Sequence, residues 1–90
     1  MKKSVFSEDY KCFLKLLREI RERAGLTQEE IAERLETTQS IISKCERGER
    51  RLDIVELKAW CQALDIPLSV FIAEFEKALN KGDKSSCRKL

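Results

Sequence analysis

The sequence predicts an all-α domain of five short helices. Three observations predict it. Apolar residues recur at three- and four-residue steps through most of the chain, the spacing of one helical face. The single proline, Pro67, and the three glycines, Gly25, Gly48 and Gly82, stand between the periodic stretches rather than inside them. No alternating run of β-branched residues marks a strand.

Taken in order, the first helix covers about 8–24. Ser7 serves as its N-cap, and Gly25 as the residue beyond its C-terminus. Its apolar stripe reads Tyr10, Phe13, Leu14, Leu17, Ile20 and Ala24. The second opens with Thr27-Gln28-Glu29-Glu30, a capping box in which Thr27 and Glu30 satisfy each other's backbone donors, and ends near Leu35. The third starts after Thr38, another hydroxyl cap, and stops before Gly48. The fourth begins at Asp53 with Glu56 three residues on and runs to about Leu64. The fifth follows Pro67 to about Leu79 with the stripe Leu68, Phe71, Ile72, Phe75 and Leu79. Residues 1–79 therefore form one domain. Residues 80–90 turn polar and basic, with little to bury, and read as a disordered tail.

Ninety residues, 42% hydrophobic and 38% charged, suit one globular core. A core this small favours association with a second copy, so a homodimer is expected. The net charge of +2 is too slight to name a partner, and the placement of charge has to do so. No apolar run approaches the roughly 18 residues of a membrane span. Met1-Lys2-Lys3 leads straight into a charged segment, so the expected compartment is the cytoplasm. The four cysteines, Cys12, Cys45, Cys61 and Cys87, form no C-x-x-C, and there is no histidine. No metal site is expected. The cysteines read as free thiols, the first three on apolar stripes and Cys87 exposed. With no glycine-rich phosphate loop and no nucleophile beside a base, catalysis and a cofactor are not expected either.

Function is written in the second and third helices. About three residues separate them, which forces a sharp crossing with a small residue at the contact. Ala32 fills that role, and Ile31, Leu35, Ile42 and Cys45 surround it. Such a pair is the helix-turn-helix of DNA-binding proteins. On the other side of the third helix, about 39–47, Gln39, Ser40, Ser43, Lys44 and Arg47 share one face. None is acidic, although the chain holds 16 acidic residues. Their side chains donate to base edges and phosphates, and glutamine can pair bidentately with adenine.

Three stretches carry a family resemblance: Leu26-Thr27-Gln28-Glu29-Glu30-Ile31-Ala32, Thr38-Gln39-Ser40-Ile41-Ile42-Ser43-Lys44, and Glu46-Arg47-Gly48-Glu49-Arg50-Arg51. Together they closely resemble the phage repressor and Cro family of helix-turn-helix regulators, the XRE family. The resemblance implies a compact five-helix DNA-binding domain of the phage repressor type, acting as a transcriptional regulator, a repressor, on a palindromic operator in double-stranded DNA. It puts base contacts on Gln39, Ser40 and Lys44. Gln28, Thr38, Ser43 and Arg47 would lie against phosphates, with Arg50 and Arg51 in reach and Glu49 beside them. Glu46, leaning toward the core, would pair with Arg21, since an unpaired buried carboxylate is costly. Two positions depart from the family. Glu36 stands where glycine is common in the turn. Ile41 replaces an aromatic or polar residue and is open to two roles, a thymine methyl contact or a shield for the core. Two alternative functions share the fold, an antitoxin and a protein-interaction module. The interaction module would show acidic or apolar residues on the outer face of the third helix, and none stands there.

Overall fold

Short polar side chains start four of the helices in a computed structural model that describes residues 7–80. Ser7 accepts from the Tyr10 amide at the head of α1 (Glu8–Arg23), and Thr38 accepts from the Ile41 amide at the head of α3 (Gln39–Glu46). Complete capping boxes open α2 (Gln28–Arg34) through Thr27 and Glu30, and α4 (Ile54–Ala63) through Asp53 and Glu56. Each box satisfies two amides that the helix itself leaves unpaired. α5 (Leu68–Asn80) follows Pro67, whose carbonyl accepts from the amides of Val70 and Phe71. Among the described residues there is no strand.

The helices also end alike. After α1, α2, α3 and α4 the chain passes through a left-handed residue, respectively Gly25 (φ 76°), Glu36 (φ 56°), Gly48 (φ 81°) and Asp65 (φ 61°). In each case that residue's amide bonds to a carbonyl three residues back, and the next amide reaches five back. Glu36 to Glu33 at 3.1 Å and Thr37 to Ala32 at 2.9 Å are one such pair. This double closure satisfies carbonyls at the end of the helix and turns the chain sharply enough for the next helix to begin within a few residues.

The core forms where the stripes of the five helices meet. Leu17, Ile31, Ile42 and Phe71, one from each of four helices, have no exposed surface. Phe13 lies edge-on to Phe71 and Phe75, with ring centroids 5.8 and 6.0 Å away, and so ties α1 to α5. Trp60, Cys61 and Leu64 bring in α4.

Three expectations need correction. The stripe of α1 is Cys12–Phe13, Leu16–Leu17 and Ile20–Arg21, and Ala24, the C-cap, is exposed. On α5, Ile72 is 40% exposed, because the helix presents Phe71 to the core and turns its neighbour away. Cys12 is buried but disulfide-bonded, not the free thiol expected. Helical spacing reports burial, whereas oxidation depends on a neighbour in space. Cys45 and Cys61 are free and buried. Asn80 belongs to α5, one residue past the expected end. The rest of the expected tail, 81–90, with the reading of Cys87, lies outside the described residues, as does 1–6.

Candidate nucleic-acid interface

Where α2 packs on α3, Ala32, which is 4% exposed, belongs to the same buried cluster as Ile42 and Cys45, which have no exposed surface. With those two residues turned inward, the 3.6-residue period sends Gln39, Ser40, Ser43, Lys44 and Arg47 to the opposite side. Ser43 is half-buried and the other four are exposed. Thr38 caps the helix at the same edge. Ile41 is partly buried and packs on the core.

Behind the start of α3 lies a chain of side-chain hydrogen bonds. The Arg21 Nε donates to Glu46 Oε2 at 2.7 Å, and its Nη2 donates to Oε1 at 3.1 Å. Its Nη1 donates to the Leu26 carbonyl at 2.8 Å. Both side chains are nearly dry, at 10% and 4% exposed, so the pair is charge-assisted, bidentate and shielded from solvent. Glu46 Oε1 accepts a further bond from Gln28 Nε2 at 3.0 Å, and Gln28 Oε1 accepts from Gln39 Nε2 at 3.2 Å. Four residues from three helices are thus linked, from the core to the first residue of α3.

The arginines after α3 have separate partners. Arg47 grips Glu49 with Nε and Nη2 at 3.0 and 3.1 Å, and its Nη1 donates to Ser43 Oγ. The bonded carboxylate raises the Arg47 pKa above its ordinary value, and Arg47 in turn holds the Glu49 carboxyl below the usual range, with a further contribution from the Lys44 charge. Arg50 pairs with Glu56 at 3.0 Å and approaches Cys45 Sγ at 3.8 Å. Burial raises the Cys45 thiol pKa, against the lowering pull of Arg50. Arg51 points elsewhere, with its guanidinium 4.6 Å from the centre of the Tyr10 ring. It lines a cleft of about 360 Å³ between α1, α4 and α5.

The structure therefore gathers Gln28, Gln39, Glu46 and Arg21 into one network and Ser43 with Arg47 into another. Ser40 and Lys44 stand on the same face, and Arg51 is set apart from it. Sequence reasoning missed the engagement of Glu49 with Arg47. The signal was present in Gly48, whose left-handed turn folds the next residue back on the end of the helix. It also missed the bond from Gln28 to Glu46, which depends on a helix crossing that spacing does not specify. Among the described residues no group of acidic, cysteine or histidine side chains could hold a metal ion. No helix there is long and apolar enough to cross a membrane.

Comparisons with known proteins agree with the helix-turn-helix fold. A family model described as "Helix-turn-helix" matches residues 17–71. The chain is similar to an XRE-family like protein from Pseudomonas syringae pv. tomato, at 39% identity and a TM-score of 0.72, over 77% of this chain and 84% of that one. It is similar to the restriction-modification controller protein C.Esp1396I, solved as a tetramer in complex with its natural 35 base-pair operator. There the identity is 28% and the TM-score 0.70, over 76% and 90% of the two chains. The clp gene regulator ClgR from Corynebacterium glutamicum matches at 25% identity and a TM-score of 0.67, over 76% and 72%. A comparison with the sequences of curated proteins finds no match.

Proposed function

The chain belongs to the XRE-type helix-turn-helix family, and from that premise we propose that it binds double-stranded DNA sequence-specifically and acts as a transcriptional repressor rather than an enzyme. α3 enters the major groove, with Gln39, Ser40 and Lys44 on base edges. Gln28, Thr38, Ser43 and Arg47 lie against phosphates, and Arg50 reaches one by releasing Glu56. Arg51, turned toward Tyr10, contributes least. The place of action is the compartment that holds the DNA, the cytoplasm.

The hydrogen-bonded chain behind Gln39 carries this reading. A carboxylate only accepts, so Glu46 obliges Gln28 to turn its amide nitrogen inward, which leaves the Gln28 oxygen facing Gln39. Gln39 must then donate to Gln28 with its nitrogen, keeping its oxygen and second N–H free side by side. An acceptor next to a donor is the complement of the amino group and N7 of adenine in the major groove. The buried pair thus orients a base-reading amide before DNA arrives, which lowers the entropic cost of binding.

A homodimer fits a palindromic site. Four large apolar residues are exposed on α4 and α5, namely Ile54 at 58%, Val55 at 70%, Val70 at 42% and Ile72 at 40%. Ile54 and Ile72 both line the cleft beside Tyr10 and Phe75. Such a patch supports covering by a second copy. Selection of bound duplexes from a random pool tests the function. The expected product is an inverted repeat rich in adenine–thymine pairs at the Gln39 position, with half-site centres about 34 Å apart. A pool that does not enrich overturns the proposal.

A further inference from the structure

In the free protein the DNA-facing surface of α3 is not an open row of cations. Two positive side chains stand on it, Lys44 and Arg47, and Glu49 forms an ion pair with Arg47. Its two carboxylate oxygens take the Arg47 Nε and Nη2 at 3.0 and 3.1 Å, the two-point geometry in which a guanidinium also takes a phosphate. Ser43 occupies Nη1, so three nitrogens of one guanidinium have partners before any ligand approaches. The local chain makes this contact. Arg47 is the C-cap of α3, Gly48 turns left-handed, and the Glu49 amide bonds back to the Lys44 carbonyl at 2.9 Å. That closure plants Glu49 two residues from Arg47 and beside the last turn of the helix.

We propose that Glu49 sets the affinity of the interface by acting through Arg47: its carboxylate occupies the guanidinium as an internal phosphate surrogate that DNA has to displace. This inference rests on the DNA-binding reading and adds to it a residue that opposes binding. Both side chains are about half exposed, at 53% and 52%, so the pair is screened and a phosphate can exchange with it. Displacing the carboxylate weakens binding for every sequence alike, because phosphates carry no sequence information. Glu49 therefore lowers specific and non-specific affinity together and leaves their ratio unchanged.

The test is a double-mutant cycle on the full chain with wild type, Glu49→Gln, Arg47→Ala and the double variant. Fluorescence anisotropy reads binding to a selected duplex and to a random-sequence duplex. Glu49→Gln is expected to tighten both complexes by up to about fivefold, the range of an exposed ion pair. The salt dependence should steepen by up to about one counterion per subunit. In the Arg47→Ala background the same substitution should change nothing, and Glu49→Asp, too short to reach both nitrogens, should fall between. Without DNA, the Arg47 Nε–H resonance in a nitrogen-correlated NMR spectrum should move on Glu49→Gln. Weaker binding by Glu49→Gln would show that Glu49 steadies Arg47 for the phosphate and overturn the proposal. An equal gain with and without Arg47 would reduce Glu49 to a general repulsive charge and overturn it too. Absence of DNA binding by all four proteins overturns the DNA reading, and this inference with it. Unchanged affinity in proteins that do bind overturns this inference alone.

Discussion

Replacing Glu46 with alanine removes the acceptor of three hydrogen bonds, two from Arg21 and one from Gln28. The loss strands a guanidinium whose side chain is only 10% exposed. Breaking a buried pair from one side costs about 3–5 kcal/mol, because the remaining charge is left desolvated. Arg21 keeps its bond to the Leu26 carbonyl, which favours the lower end, about 3 kcal/mol. For a domain of this size each kcal/mol lowers the midpoint by about 4–8 °C, so the expected fall is about 12–24 °C. Urea denaturation followed by circular dichroism measures the stability, and a thermal scan of the same samples supplies the second estimate. The double variant Arg21→Met with Glu46→Leu should recover most of the loss, since an apolar pair needs no desolvation of charge. A loss below about 0.5 kcal/mol in Glu46→Ala would refute the reasoning, because only a pair in contact with water is worth so little.

Two further predictions concern backbone and thiols. Gly25→Ala should destabilise by roughly half to one kcal/mol. A Cβ there meets no atom within 4 Å, so only the left-handed backbone at φ 76° is penalised, less the entropy removed from the unfolded chain. Glu36→Gly should stabilise by a similar amount for the mirror-image reason, its φ being 56°. Chemical denaturation of the two variants checks both signs together. Cys45 and Cys61 should resist iodoacetamide in the native protein and react once urea unfolds it, as peptide mass spectrometry can read. Their side chains are inaccessible, and desolvation raises both thiol pKa values, which suppresses the reactive thiolate.

The helices were legible because their ends are chemically marked. Thr27 with Glu30, and Asp53 with Glu56, announce capping boxes three residues wide, and local hydrogen bonding alone decides those starts. The turn at Glu36 was also legible as a place where glycine is common, and its left-handed backbone is the reason for that preference. Asp65 does the same after α4, but the longer run to Pro67 allowed several turns. Periodicity located the stripe of α1 without resolving its edge, so Leu16 was passed over and Ala24 was counted. The outer face of α3 followed from Ile42 and Cys45 pointing inward. What holds that face did not follow. Gln28 reaches Glu46 across 18 residues of sequence, and Arg47 turns back to Glu49 rather than outward. Those contacts depend on side-chain torsions and a crossing angle, which no spacing encodes. The disulfide state of Cys12 belongs with them.

The claim that α3 reads DNA is tested most directly by titrating a selected duplex and a random duplex with wild type and Gln39→Ala. Fluorescence anisotropy at about 50 and about 200 mM salt gives the four affinities at each salt. The account predicts a fall of about tenfold or more for wild type across that range, since each subunit releases several counterions. It predicts that Gln39→Ala loses about 1–3 kcal/mol on the selected duplex and nothing on the random one. Salt-independent binding, or an equal loss on both duplexes, would contradict it.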